Sequence, residues 1–378
     1  MLFRDIPGQQ SSKEFLSGLI TDDRIPHAIL FTGPQGNGKL AFAMAFAAAL
    51  LCEEKEGIEV CGECTHCIKS LKYIHPDLHL SFPVSTKEGK KRSDVTSTDF
   101  LVPFRSFLSE HIFSGVDTWA KYIDADNKPI NINVTECNQI IKSLGLRKYE
   151  GRYKIQIIFG AEYLSKEGNR LLKLIEEPTP DTIIILVSDF QEQLLNTIKS
   201  RCQIFKIPPF QDEEINSFIE SKVVDTKQRE EIVRLAAGNL KMAIEIHENE
   251  ESEYDQILLD IFRGAYTGNI PNMLKLADRL GQMNKKEMEG FCLYTLHFLK
   301  EYMRVVHLNA TDGVRLSGKE KATALKMTRS ISVEMAIAIA SLMEENIKNI
   351  NRNANKKILW TSTMFGIEEI FAKNKIAS

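Results

Sequence analysis

The sequence predicts an α/β module built on a parallel sheet, then a small helical domain, then a larger all-α domain. Three observations carry that expectation. Apolar strand-like runs alternate with helix-like runs through residues 1–209, the order that a parallel sheet covered by helices demands. One strand-to-helix joint, "TGPQGNGKLAFA" (32–43), holds Gly33, Gly38 and Lys39 at the G-x-x-x-x-G-K spacing of a phosphate loop. After Phe210 the texture changes: residues 211–378 contain one proline, Pro271, and read as successive amphipathic helices. A chain of 378 residues is long enough for two or three cores. The expected division is 1–209, 210–250 and 251–378.

Taken in order, residues 9–20 have helical apolar spacing at Phe15, Leu16, Leu19 and Ile20, and "HAILFTG" (27–33) is a short strand ending in glycine. Residues 39–51 follow as a helix whose apolar run, Ala41–Cys52, is too short to span a bilayer and reads as buried. A cysteine-rich loop comes next. Residues 81–130 interrupt the alternation with polar, turn-rich sequence and an aromatic segment around Trp119, and read as an insertion. Residues 130–146 form a turn and a helix that Thr135 can cap. "YKIQIIFG" (153–160) is a second strand; residues 165–178 form a helix stopped by Pro178. "DTIIILVSD" (181–189) is apolar enough for burial on both faces. Residues 194–210 give a short helix and a strand, ended by Pro208-Pro209; in 211–247, Gly238 breaks a small helical bundle.

A formal net charge of −3 excludes a free-standing nucleic-acid binder driven by bulk charge. The N-terminus MLFRDIPGQQ has no apolar signal core, and no segment reads as a membrane span. Four of the seven cysteines crowd between Cys52 and Cys67. Without a secretory signal that crowding points to a metal site in a reducing compartment. The expectation is a cytoplasmic chain.

In a working phosphate loop the glycines let backbone N–H groups approach phosphate, the lysine reaches the outer phosphates, and a Ser or Thr hydroxyl holds Mg²⁺. Here Leu40 stands in the hydroxyl position. The bland alternative is a glycine-rich turn. Phosphate-loop ATPases also need an acidic pair at the end of the next strand, where this chain has Phe159 and Gly160. Glu162 is too far along to substitute and reads as a surface residue. Hydrolysis by this chain alone is not expected.

Cys52, Cys61, Cys64 and Cys67 form C-x8-C-x2-C-x2-C. C-x2-C knuckles turn two thiolates toward one metal, and Gly62 suits the turn, so the cluster is expected to hold a structural Zn²⁺. The alternative is four ordinary free thiols. His66 sits inside a knuckle and reads as a bystander. Arg201, in "SRC" (200–202), is either a salt-bridged surface arginine or one that reaches a neighbouring subunit's γ-phosphate. Lys241 is a lone lysine near a helix start; Cys137, Cys202 and Cys292 read as buried filler. The run Lys90-Lys91-Arg92 could touch DNA, but a solvated loop is the simpler reading.

The order of phosphate loop, cysteine cluster, "HPDLH" (75–79), "NRLLKLIEEP" (169–178) and "SRCQ" (200–203) resembles the bacterial clamp-loader subunits of DNA polymerase III over about residues 3–245. The resemblance implies an AAA+ module, a small helical lid and a C-terminal collar that joins an oligomer. It implies a part in loading the sliding clamp onto primer-template DNA, with gamma/tau and delta subunits as partners. It further implies that Arg201 is an arginine finger acting on ATP held by the adjacent subunit, and that Cys52, Cys61, Cys64 and Cys67 bind zinc. Lys241 falls where ATPase members place a second-sensor arginine, and Ser188 near the first sensor. Leu40, Phe159 and Gly160 match a non-hydrolysing subunit. The competing readings are a gamma/tau-like ATPase with a degenerate site and a zinc-bearing DNA-binding module.

Overall fold

The computed structural model describes residues 1–87, 89–125, 128–223, 226–248, 254–308, 314, 316, 318–328 and 330–377. The chain divides into two compact units, residues 1–222 with 238–242, and residues 223–237 with 243–378. The segment 210–250 is therefore shared between them. The expected boundary at 250/251 lies outside the described residues.

Strands of the first unit are β1 (Ala28–Thr32), β2 (Lys55–Glu56), β3 (Glu59–Val60), β4 (Leu78–Ser81), β5 (Lys154–Phe159), β6 (Thr182–Ser188) and β7 (Gln203–Lys206). Its helices are α1 (Gln10–Thr21), α2 (Lys39–Leu51), α3 (Thr65–Leu71), α4 (Leu101–Glu110), α5 (Val116–Tyr122), α6 (Val134–Gly145), α7 (Leu172–Glu176), α8 (Asn196–Lys199) and α9 (Asp212–Glu220). Five strands form one parallel sheet in the order β4-β5-β6-β1-β7, while β2 and β3 pair as an antiparallel hairpin. The three central strands, β1, β5 and β6, are buried at every position, as their unbroken apolar runs require in a sheet covered on both faces. Helix α2 is apolar all round after Lys39 and buried along its whole length. Lys154 and Gln156 are the polar residues inside β5; the Gln156 amide donates to Ser81 Oγ and Ile157 O, and Lys154 reaches further. Its ammonium donates to Leu144 O and Leu146 O at the end of α6, where free carbonyls favour a cation.

Two local readings need correction. Helix α6 is capped by Asn133, whose side chain accepts from Glu136 N at 2.9 Å; Thr135 already lies in the first turn, and its hydroxyl donates to Ser93 O. The helix expected over 165–178 is instead a 3-10 stretch, Ala161–Leu171, interrupted at Ser165 (φ 45°), and then α7. The insertion turns its aromatic residues inward, while Lys90, Lys91 and Arg92 stay exposed. Phe82 stacks on Phe104 at 3.8 Å, and Trp119 meets both rings edge-on. Trp119 donates its indole N–H to Pro83 O at 2.8 Å. Phe159, at the end of β5, packs on Phe104 and Phe107, so α4 and α5 are anchored on the sheet. Lys90 pairs with Asp99 at 2.6 Å, and Arg92 donates to Pro129 O. Residues 88, 126 and 127 of the insertion lie outside the described residues.

A buried carboxylate ties the sheet edge down. Asp77, 2% exposed, accepts from the backbone N–H groups of Tyr149, Glu150 and Gly151 at 2.6–2.8 Å, fastening the entry of β4 to the turn before β5. Burial pushes this carboxyl up, but the three N–H groups outweigh it and hold it below its ordinary value. Its folded pKa is thus depressed, so its stabilisation is present above about pH 4 and is lost as pH falls through the folded value. Asp77→Asn should cost about 2–3 kcal/mol near neutral pH. Urea unfolding should show that gap narrowing under acid.

Among its described residues, the second unit's regular elements are helices: α10 (Thr226–Ala236), most of α11 (Leu240–Glu248), α12 (Tyr254–Thr267), α13 (Ile270–Gln282), α14 (Lys285–Leu308), α15 (Gly318–Met327), α16 (Val333–Asn351) and α17 (Lys356–Ala377). Its core gathers Phe291, Leu299, Tyr302, Ile339, Trp360 and Ile367. Two polar contacts lie inside it: Tyr302 O–H donates to Ile331 O, and Asn346 and Thr363 bond each other. Among the described residues no helix is long and apolar enough to cross a membrane.

Candidate functional site

The phosphate-loop sequence does join a strand to a helix, running from the end of β1 to the start of α2. Gly33 (φ 145°) and Gly38 (φ 82°) take backbone conformations that L side chains rarely adopt. A Cβ at Gly33 would also fall 2.3 Å from Ile207 O. The loop has the shape of a cradle, but Lys39 is turned inward. Its ammonium is 2.7 Å from Asp189 Oδ1 and within 3.0 Å of Gly33 O, Pro34 O and Asn37 Oδ1. Three N–H protons therefore face four acceptors of the chain itself, and the residue is 4% exposed.

The remaining parts of a Mg²⁺-nucleotide site do not fit either. Leu40 is buried apolar bulk where a hydroxyl is required. Phe159 belongs to the aromatic cluster, and Gly160 (φ 67°) is so crowded that a Cβ there would lie 2.6 Å from Val116 Cγ2. Glu162 is a correction: it is 6% exposed, not a surface residue. The left-handed turn at Gly160 carries it inward, where Oε1 accepts from Asp189 N at 3.3 Å. Burial raises its carboxyl above the usual range. Ser188, at the end of β6, is fully buried. Asp189, the partner of Lys39, was missed in the sequence, because nothing local marks a residue that acts across 150 positions.

The cysteines come together. Cys52 follows α2, Cys61 follows the β2–β3 hairpin, and Cys64 and Cys67 flank the first turn of α3. Their four Sγ atoms lie within 4.8 Å of one another, with Cys52–Cys61 at 3.7 Å and Cys61–Cys67 at 3.8 Å. A tetrahedral zinc with Zn–S bonds near 2.3 Å has an edge of about 3.8 Å, so the donor set fits that ion. Backbone N–H groups already point at the sulfurs: Cys64 N to Cys61 Sγ and Cys67 N to Cys64 Sγ, both 3.4 Å. The N–H groups of Cys64 and Glu63 draw the Cys61 thiol down to about 7, while burial pushes Cys52 and Cys67 up.

His66 faces away from the sulfurs into a separate chain. Asp77 N–H donates to His75 Nδ1 at 3.1 Å, which leaves the proton of a neutral His75 on Nε2, 2.7 Å from His66 Nδ1. His66 Nε2 then faces Glu53 at 3.1 Å. Burial, with His66 adding to it, holds His75 below the usual imidazole range, in keeping with a neutral ring. The chain links the cysteine knuckle to Asp77 and the sheet edge. The "HPD" at 75–77 was the only sequence signal for it.

Arg201 lies elsewhere. It follows α8 and precedes β7, whose Gln203 pairs with Ile29 in β1. The sheet is parallel, so Arg201 sits at the opposite end of these strands from Gly33, about six residue steps or 20 Å away along them. About a third of its side chain is exposed. Nε pairs with Glu176, and Nη1 donates to Thr197 O at 2.9 Å. Lys241, at the start of α11, pairs with Asp117 at 2.6 Å. Cys137 and Cys292 are buried, whereas Cys202 is half-buried.

Residues 8–211 match the family described as DNA polymerase III, delta subunit. The chain is 28% identical over 242 residues to the DNA polymerase III subunit delta' of Bacillus subtilis, covering 63% of this chain and 59% of that protein. It is 31% identical over 177 residues to the subunit delta' of Pseudomonas aeruginosa, covering 47% and 41%. A third relative is the subunit tau of Bacillus subtilis, 27% identical over 252 residues, covering 65% and 37%. The chain thus spans about half the length of the delta' relatives it matches.

Proposed function

The chain belongs to the family described as DNA polymerase III, delta subunit, and from that premise we propose that it is a delta'-like, non-hydrolysing subunit of the DNA polymerase III clamp loader. In this reading it assembles with gamma/tau and delta subunits, partly through its C-terminal helices. The assembly loads the sliding clamp onto primer-template DNA. One observation carries the reading: Arg201 is accessible at the sheet end remote from the chain's own phosphate loop, so its guanidinium is available to another subunit's nucleotide and not to its own.

Chemically, Arg201 brings a charge that no physiological pH removes and a planar fork suited to phosphate oxygens. Glu176 holds that fork in the free chain. A γ-phosphate of the adjacent subunit's ATP would take over from the carboxylate, and the guanidinium would stabilise the charge that develops there during transfer. Cys52, Cys61, Cys64 and Cys67 would hold one structural Zn²⁺. Four thiolate ligands leave no open coordination position, so the ion braces α2 to α3 and takes no part in phosphoryl chemistry.

A gamma/tau-like ATPase is the second reading, favoured by the tau relative. The two separate cleanly. Purified chain with Mg²⁺ and ATP is expected to release phosphate only at the background rate. Turnover that disappears when Lys39→Met is combined with Asp189→Asn, a pair that orphans neither buried charge, would establish the ATPase instead. The third reading, a zinc-bearing DNA-binding module, calls for salt-sensitive DNA binding by the chain without partners; none is expected at physiological salt.

A further inference from the structure

The insertion reaches back over the phosphate loop. Phe113 lies against it: a Cβ at Gly38 would come 3.4 Å from the Phe113 ring, which also meets Phe218 edge-on at 5.8 Å. Two residues on, Gly115 presses on Asp189, whose Oδ2 is 2.5 Å from the place a Gly115 Cβ would take. Asp189 in turn holds Lys39 at 2.7 Å. Val116 and Pro83 close over Gly160, the strand end where an ATPase keeps an acid. Asp117 then takes Lys241 at 2.6 Å, just after Leu240 N donates to Gly36 O at 3.0 Å. The two lysines that would bridge through a triphosphate are thus each answered by a carboxylate of the chain itself.

We propose that residues 113–117 are an internal occupant of the nucleotide cleft, closing it to nucleoside triphosphates and clasping residues 238–242 onto the phosphate loop without any ligand. A triphosphate could enter only by expelling Phe113 and breaking both the Lys39–Asp189 and Lys241–Asp117 pairs. The absence of the magnesium hydroxyl at Leu40 and of the acidic strand end at Phe159 follows the same logic, because a cleft that is filled by protein needs neither. The inference does not depend on what Arg201 does.

Equilibrium binding of a fluorescent ATP analogue to the intact chain tests it. Wild type is expected to show no saturable binding up to about 1 mM, with or without Mg²⁺. Phe113→Ala combined with Asp117→Ala should bring binding into range, at least about tenfold tighter. Saturation of the wild type at micromolar analogue, or a double variant that binds no better than wild type, overturns the proposal. If the double variant loses its cooperative melting transition, Asp117→Asn replaces it and amide exchange of residues 33–39 is the readout. A rise of about tenfold supports a clasp over the loop, and unchanged protection contradicts it.

Discussion

Arg201→Ala in a clamp loader reconstituted around this chain is expected to cut ATP turnover at the site it faces by about 10³-fold, the lower end of what an arginine finger contributes. The loss should fall on turnover more than on ATP affinity, because the guanidinium acts on charge that develops in the transition state. Arg201→Lys should rescue little, since an ammonium lacks the planar fork. Folding does not confound the comparison. The Arg201–Glu176 pair is partly exposed on both sides, and such surface pairs contribute about 0–1 kcal/mol. Glu176→Gln is a useful companion. Releasing Arg201 from its carboxylate should leave turnover within about threefold of wild type, which separates a holding contact from a catalytic one.

Removal of zinc is expected to have the second largest effect. Between Cys52 and Cys67 lie only a short hairpin of two residue pairs and the start of α3, far too little apolar surface to fold alone. Structural zinc sites of this type carry apparent binding energies of about 10–16 kcal/mol near neutral pH, much of it folding energy. One zinc per chain is therefore expected after purification. Cys64→Ser or strong chelation should open residues 52–67 to protease and lower the melting temperature of the first unit by roughly 5–10 °C. The damage should spread along the His66–His75 chain to the Asp77 anchor, so protection of residues 149–151 should fall as well. A metal-free preparation with an unchanged melting temperature would rule the ion out as a structural element.

What could be read from the sequence depended on how local the deciding contact was. The central strands were legible because a strand buried on both faces is an unbroken apolar run, as in "TIIILVS" of β6. The edge strand β4 was not, because Leu78–Ser81 is short and its middle residues are half-buried. The cysteines were legible because all four lie within sixteen positions of one another. The packing of the insertion was hidden for the opposite reason. Its aromatic residues are spaced among charged ones, and their burial depends on Phe159 of β5. Glu162 was misread through a turn: an acidic residue after a strand end is ordinarily exposed, but Gly160 at φ 67° points it into the protein. Lys39 itself stood out, whereas the residue that claims it, Asp189, did not.

The central claim is that the reactive chemistry belongs to a neighbouring subunit and that this chain supplies only a charge to it. Clamp- and DNA-stimulated ATP turnover of the reconstituted complex, measured side by side for two changes in this chain, tests that claim most directly. Lys39→Met with Asp189→Asn should leave turnover within about twofold of wild type, while Arg201→Ala should abolish the share of the site it faces. Turnover lost on changing Lys39 and retained on changing Arg201 would contradict it.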